Sequence, residues 1–106
     1  MKMPSKEGYM QYLKNEMYKQ WTGSGYPSTI YQYASSVEKV MKQEGINTYL
    51  DLPDRIQELC KKYGPEGPRG LYGAQGHNTV INALRRFMEY LLNVCDWVPK
   101  TGIYNN

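Results

Sequence analysis

Histidine and cysteine are scarce in this sequence: one histidine and two cysteines occur among 106 residues. His77, Cys60 and Cys95 lack the spacing of a zinc finger, and nothing near them completes a tetrahedral metal site. We therefore expect neither a metal nor a cofactor, and we interpret both cysteines as small buried hydrophobic residues with reduced thiols. The sequence also has no clustered acid–base pair and no nucleophile beside a base, which indicates that the protein is not an enzyme.

Long apolar segments are also missing. No run approaches the roughly 18 apolar residues that span a bilayer, and the N-terminal segment MKMPSKEGYM has no apolar core of a secretion signal. The sequence therefore predicts a cytoplasmic protein without a membrane partner. Phenylalanine occurs once, whereas tyrosine occurs 11 times. Because a tyrosine ring is buried while its hydroxyl stays hydrated or bonded, we expect a wide half-buried boundary around the core.

Hydrophobic periodicity predicts an all-α protein of four helices, because apolar residues recur near the helical period and no stretch alternates as a strand does. The predicted helices run from Ser5 to Trp21, from Ser28 or Thr29 to Gly45, from about Asp51 to Gly64, and from His77 or Asn78 to about Asn93. A chain of this length fits one domain, with a core of about residues 5–93 and a tail of residues 94–106. The apolar tail residues Trp97, Val98 and Tyr104 either pack back on the domain or form an exposed arm.

A glycine-rich segment, GPEGPRGLYGAQG, lies between the third and fourth predicted helices and has glycine at every third position from Gly64 to Gly76. It is too short for a collagen triple helix, and it lacks the Gly-Lys-Ser/Thr ending of a phosphate-binding loop. We predict a mobile connector. The alternative is a segment that becomes ordered against a partner, with Arg69 and Tyr72 as the contacts.

Positive charge is concentrated around this segment, although the whole chain has a net charge of only +3. Within residues 59–86, the only acidic residue is Glu66, and the basic residues are Lys61, Lys62, Arg69, Arg85 and Arg86. Such asymmetry favours an anionic partner such as nucleic acid, although chance clustering on a solvated surface would produce it as well.

We predict a polar, partly basic surface for an anionic partner on the second and fourth predicted helices, and its side chains are of the types that contact DNA. Arginine bonds phosphates bidentately and reaches guanine edges, short donors near helix N-termini favour phosphate, and lysine adds attraction that is independent of base sequence. The predicted contacts are Thr29, Gln32, Lys39, Asn78, Thr79, Asn82, Arg85 and Arg86. Other uses remain open: Asn78 also suits a helix cap, and Arg85 is spaced to pair with Glu89 on its own helix.

The order and content of these helices resemble the SAM-like core-binding domain that precedes the catalytic domain in tyrosine recombinases and phage-type integrases. The resemblance covers roughly residues 5–93. It rests on Ser28, Thr29, Ile30, Tyr33, Gly45 and Ile46 in the first half, and on Ala83, Leu84, Arg85, Phe87, Tyr90 and Leu91 in the second. It implies a four-helix domain that grips duplex DNA from one side with its second and fourth helices.

The catalytic residues of that family are absent. Its catalytic domain needs two arginines, a lysine, a His-x-x-Arg element and a nucleophilic tyrosine, whereas His77 is followed by Asn, Thr and Val. The resemblance therefore implies DNA binding without strand cleavage, in a domain that works with a catalytic recombinase domain, stands alone or associates with itself. The alternative prediction is a helical protein–protein interaction module or regulator without DNA binding, which the many aromatic residues favour because such residues concentrate at interfaces.

Overall fold

The computed structural model describes residues 2–99, and within this range all regular secondary structure is helical. The elements are α1 (Lys6–Met17), α2 (Ser28–Glu44), a 3-10 helix (Tyr49–Asp51), α3 (Leu52–Lys62), α4 (Gly70–Gly73) and α5 (Gln75–Asn93). The all-α prediction is confirmed. The predicted number of helices is too small, because the described residues form five α-helices and the additional one, α4, lies inside the glycine-rich segment.

α1 begins as predicted but ends earlier. The Ser5 hydroxyl accepts a hydrogen bond from the Gly8 amide at 2.9 Å and so caps the helix. The helix stops at Met17 rather than Trp21, and Tyr18 leaves the helical region with a φ of −136°. Met17 and Tyr18 pack against the core, whereas Trp21 is 40% exposed. Because helices in proteins are stabilised mainly by packing, the apolar spacing of Trp21 alone does not extend α1.

α2 ends at a glycine, as predicted, but no side chain caps its start. Gly45 has a φ of +71°, the left-handed conformation that commonly ends a helix. Ser28 and Thr29, the predicted caps, lie in the first turn instead, and Pro27 occupies the capping position. The carbonyl of Pro27 accepts from the Ile30 amide at 3.0 Å. The pyrrolidine ring fixes the φ of Pro27, which is −57°, and no hydroxyl caps the start of this helix.

The glycine-rich segment is a series of tight turns joined to the end of α3. The Gly67 amide donates to the Gly64 carbonyl at 3.0 Å, and the Gly70 amide donates to the Gly67 carbonyl at 3.1 Å. The Arg69 amide donates to the Lys62 carbonyl at 2.8 Å. The segment predicted as a mobile connector is therefore hydrogen-bonded to the domain.

The three-residue glycine spacing brings one stretch of backbone directly against another. Turns that advance by three residues place their glycines on the same side. A Cβ atom on Gly67 would overlap the carbonyl oxygens of Lys61 and Lys62, and a Cβ atom on Gly73 would overlap that of Tyr63. The glycine repeat therefore allows this segment to approach the carboxyl end of α3.

α5 contains a left-handed turn before its regular part. Gly76, His77 and Asn78 have φ values of +64°, +58° and +69°. Regular helical geometry begins after them, at Thr79, so the predicted start at His77 or Asn78 lies between the first residue of α5, Gln75, and the start of its regular part. Left-handed backbone costs about 1–2 kcal/mol for a residue other than glycine. The Thr79 hydroxyl donates to the Gly76 carbonyl across this turn.

Tyr9 of α1 lies in the centre of the core against α5. Its side chain is fully buried, and its ring centroid lies 4.9 Å from that of Phe87 and 5.9 Å from that of Tyr90. Its hydroxyl donates to the Ala83 carbonyl at 2.8 Å. Burial raises the pKa of this hydroxyl well above its ordinary value, so the hydroxyl remains a donor.

The described part of the tail packs back on the domain, which is one of the two predicted arrangements. Cys95 and Trp97 are buried, whereas Val98 is 76% exposed. The Lys2 amide donates to the Cys95 carbonyl at 2.8 Å, which brings the two ends of the described range together. Tyr104 lies outside the described residues.

Candidate nucleic-acid interface

A groove of about 460 Å³ lies between α2 and the N-terminal part of α5. Its lining consists of Tyr31, Gln32, Ser35, Ser36, Lys39, Gln75, Gly76, Thr79 and Val80. None of these residues is acidic, and most carry a hydroxyl or an amide. The groove therefore presents hydrogen-bond donors and one positive charge, which are the groups that contact a phosphate backbone.

Three of the predicted DNA contacts meet in this α2–α5 groove. Gln32 and Lys39 are seven residues apart on α2 and so lie on one face of that helix. Thr79 faces them from the first regular turn of α5. Within residues 2–99, no ion pair involves the Lys39 ammonium group. Its charge is therefore available to an external anion.

Three other predicted contacts lie outside the groove lining. Thr29 is half-buried in the first turn of α2. Asn78 is exposed in the left-handed turn, and Asn82 is half-buried three residues after Thr79. Asn82 lies on the same face of α5 as Thr79 because the two are three residues apart, whereas Asn78 lies in the left-handed turn that precedes the regular part of the helix.

The two neighbouring arginines of α5 do not share a groove. Arg86 donates to the Glu89 carboxylate at 3.1 Å, three residues further along the helix. The ion pair that the sequence suggested for Arg85 is therefore made by Arg86. Arg85 is exposed and lines a second groove, of about 700 Å³, with residues of α3 and the glycine-rich segment. The helical rotation between adjacent residues separates the pair.

The second groove also contains Cys60. Burial raises the pKa of this thiol to about 11, and the nearby Arg85 lowers it only in part. The thiol is therefore protonated at neutral pH, and the structure gives it no activated nucleophilic character.

Arg69 is held against α2 through contacts that sequence spacing does not reveal. Its guanidinium donates to the Gln43 side-chain oxygen at 2.6 Å. The guanidinium also lies 5.8 Å from the ring centroid of Tyr63 and 5.6 Å from that of Tyr72. Within residues 2–99 it forms no ion pair. The glycine-rich segment therefore adds a positioned cation, at the arginine that the sequence named as a contact if the segment becomes ordered.

Glu44, the last residue of α2, joins this helix to α3. Its side chain is 7% exposed and lies 3.2 Å from Arg55, 3.0 Å from Lys62 and 2.8 Å from the Tyr63 hydroxyl. Burial by itself would raise the pKa of this carboxyl. The hydrogen bonds from Tyr63 and Lys62, with the charges of Lys62 and Arg55, lower the pKa below its usual value of 4.5. The cluster therefore removes Lys62 from the cations available to a ligand.

We expect Glu44→Gln to lower the free energy of unfolding by about 1–2 kcal/mol at neutral pH, because hydrogen bonds to a charged group are lost. The pKa of Glu44 is lower in the folded state than in the unfolded state. Its charge therefore stabilises the fold above the unfolded pKa, and this stabilisation disappears as the pH falls through the folded value. Urea unfolding at several pH values should show the variant and the parent converging as the pH falls through the lowered folded-state pKa of Glu44.

Glu58→Gln provides the control for this prediction. Glu58 also pairs with Arg55, but its side chain is 58% exposed. An exposed pair contributes little, so the loss should stay below about 0.5 kcal/mol. Equal losses for the two variants would contradict the role given to Glu44.

No helix within residues 2–99 combines the length and the apolar character that crossing a membrane requires. Comparison of the chain with protein-family models, with curated proteins and with solved structures found no match.

Proposed function

We propose that this chain is a non-catalytic DNA-binding domain of a cytoplasmic protein, with α1, α2, α3 and α5 corresponding to the four helices of a SAM-like core-binding domain. In this proposal, α2 and α5 lie against the backbone of duplex DNA. The observation that carries it is the α2–α5 groove, which gathers Gln32, Lys39 and Thr79 without an acidic residue in its lining. Donors and a cation without a competing carboxylate suit a row of phosphates.

Cations without an ion pair support the same function: Lys39 lines the α2–α5 groove, and Lys61 and Arg85 line the second groove, which also contains Glu58 and Glu66. Within residues 2–99, no ion pair is formed by Lys39, Lys42, Lys61, Arg69 or Arg85. With about four to six phosphate contacts, a domain of this kind binds DNA only in the micromolar range or more weakly at physiological salt. We therefore expect it to act together with a catalytic recombinase domain or through self-association, since linked sites raise the effective concentration.

Salt dependence is the direct test. Fluorescence anisotropy with a short labelled duplex of random sequence should show the affinity falling by about 10²–10³-fold between about 50 and 200 mM salt. Lys39→Gln should weaken binding and reduce the slope of log affinity against log salt by about one unit, because one phosphate contact is lost. Binding that does not change with salt would refute the proposal.

Matched variants separate the groove from general surface charge. Lys19→Gln removes the same charge from an exposed position after α1, outside the α2–α5 groove, and should leave the slope unchanged. Arg85→Gln should weaken binding more than Arg86→Gln, because Arg86 already pairs with Glu89. Equal slopes for Lys39→Gln and Lys19→Gln would exclude the groove as the contact surface.

The alternative function is protein–protein interaction without DNA binding. It is favoured by apolar residues that remain exposed where the two ends of the described range meet: Met3 and Val98 are each 76% exposed, and Val94 is 37% exposed. This function predicts self-association that depends on concentration in sedimentation velocity, together with no mobility shift of duplex DNA. The proposed DNA-binding function predicts a mobility shift.

A further inference from the structure

Leu71, on α4, is the most exposed large apolar residue within residues 2–99, with 93% of its surface accessible. A single exposed leucine is ordinary on a protein surface. Two features distinguish Leu71. Its backbone is hydrogen-bonded within the fold, and α4 leads directly into residues of the α2–α5 groove.

The backbone around Leu71 is held on several sides. The Gly73 amide donates to the Arg69 carbonyl, and the Ala74 amide donates to the Gly70 carbonyl, each at 3.0 Å. Gly73 itself lies against the backbone of α3, where no Cβ atom would fit. Leu71 is therefore an apolar tip on a supported turn rather than a side chain on a free loop.

Leu71 is also close in the chain to the proposed DNA contact surface. α4 continues into α5 through Ala74, which has right-handed helical angles. Gln75, the first residue of α5, follows Leu71 by four positions in the chain. Gln75 lines the α2–α5 groove. Leu71 is thus on the short helix that leads directly into the residues of that groove.

The charge around this tip favours a polyanion. No acidic residue occurs in the sequence from Gly67 to Met88. Arg69, two residues before Leu71, is positioned by Gln43 and by the rings of Tyr63 and Tyr72. An apolar side chain beside an arginine is the combination with which proteins enter a DNA minor groove, where the apolar group separates two base pairs and kinks the duplex.

We propose that Leu71 inserts between two base pairs from the minor groove, while Arg69 contacts the backbone beside it. The inference rests on the proposed DNA-binding function and adds a second kind of contact to the same surface. It converts a surface that only binds phosphates into one that bends the duplex. Bending then provides preference for deformable base steps such as TA and CA, without hydrogen bonds to base edges.

The test is duplex bending, measured by energy transfer between dyes on the two ends of a short duplex that carries a central TA step. The wild-type chain should bend it by about 20–90°. Leu71→Ala should abolish the bend and weaken binding by about 3–10-fold, because the buried apolar contact is lost. Leu50→Ala is the matched control, because Leu50 is 51% exposed on the 3-10 helix and does not line the α2–α5 groove.

The outcomes separate this inference from the proposed function. If the wild type binds DNA without bending it, or if Leu71→Ala bends the duplex equally, the insertion of Leu71 is refuted. The proposed DNA binding is not affected by either result. If neither the wild type nor any variant shows salt-dependent binding, the proposed function is refuted, and the insertion of Leu71 is refuted with it. If Leu71→Ala changes sedimentation of the protein but not DNA bending, Leu71 contacts protein and the inference is wrong. Thermal unfolding of Leu71→Ala should match the parent, since this side chain is almost fully exposed.

Discussion

Replacing Gly73 with alanine is expected to lower the free energy of unfolding by about 3 kcal/mol or more, because the added methyl group would overlap the backbone of α3. The atom it meets is the carbonyl oxygen of Tyr63, which cannot move aside by a change of rotamer. Relief requires α4 to move away from α3. Since α4 leads directly into α5, the displacement should also disturb Gln75 and Gly76 in the α2–α5 groove. Thermal and urea unfolding, followed by circular dichroism, measure the effect.

Gly23→Ala is the matched control for this prediction. A Cβ atom on Gly23 would meet only the ring of Trp21, 3.1 Å away, and that side chain is exposed enough to turn aside. The change should therefore stay within about 0.5 kcal/mol. If Gly73→Ala is as stable as Gly23→Ala, the glycine-rich segment does not pack on α3 as described.

Tyr9→Ala should destabilise the domain by about 3–5 kcal/mol, which is a large part of the total stability of a small domain. The ring fills the centre of the core against Phe87 and Tyr90, so its removal leaves a cavity among the packed helices. The same substitution removes the hydrogen bond that links α1 to the Ala83 carbonyl of α5. Urea unfolding at neutral pH provides the measurement.

Tyr9→Phe separates the two contributions. It keeps the ring and removes only the hydroxyl, so the expected loss is about 1 kcal/mol. Losses of similar size for Tyr9→Phe and Tyr9→Ala would show that packing around this ring contributes little. That result would contradict the placement of Tyr9 at the centre of the core.

Much of the helical framework could be predicted from local sequence. The Ser5 cap and the Gly45 stop are local signals, and both have the predicted role. The predicted end of the first helix at Trp21 is wrong, and the left-handed turn inside α5 was not predicted. Trp21 has helical spacing but lies beyond the end of α1 and is 40% exposed, and hydrophobic periodicity gives no sign of the left-handed turn at Gly76.

The candidate site was less predictable than the helices. Donors at Gln32, Lys39 and Thr79 could be chosen from helix faces, and they meet in one groove. The arginine pair was misleading, because adjacency in sequence places two side chains on different sides of a helix. Arg86 is engaged by Glu89, while Arg85 turns toward α3. The sequence did not indicate that Leu71 is exposed, since apolar character alone does not distinguish a buried leucine from an exposed one.

By itself, the sequence determined the helical class, the basic region from residue 59 to residue 86, and the chemical character of the available side chains. These are properties of local spacing and composition, which need no knowledge of distant contacts. Only the tertiary structure decided why glycine recurs every three residues, which cations remain unpaired, and which residues share a groove. Each of these depends on contacts between different elements of the fold, as Gly73 makes with Tyr63 and Arg69 makes with Gln43.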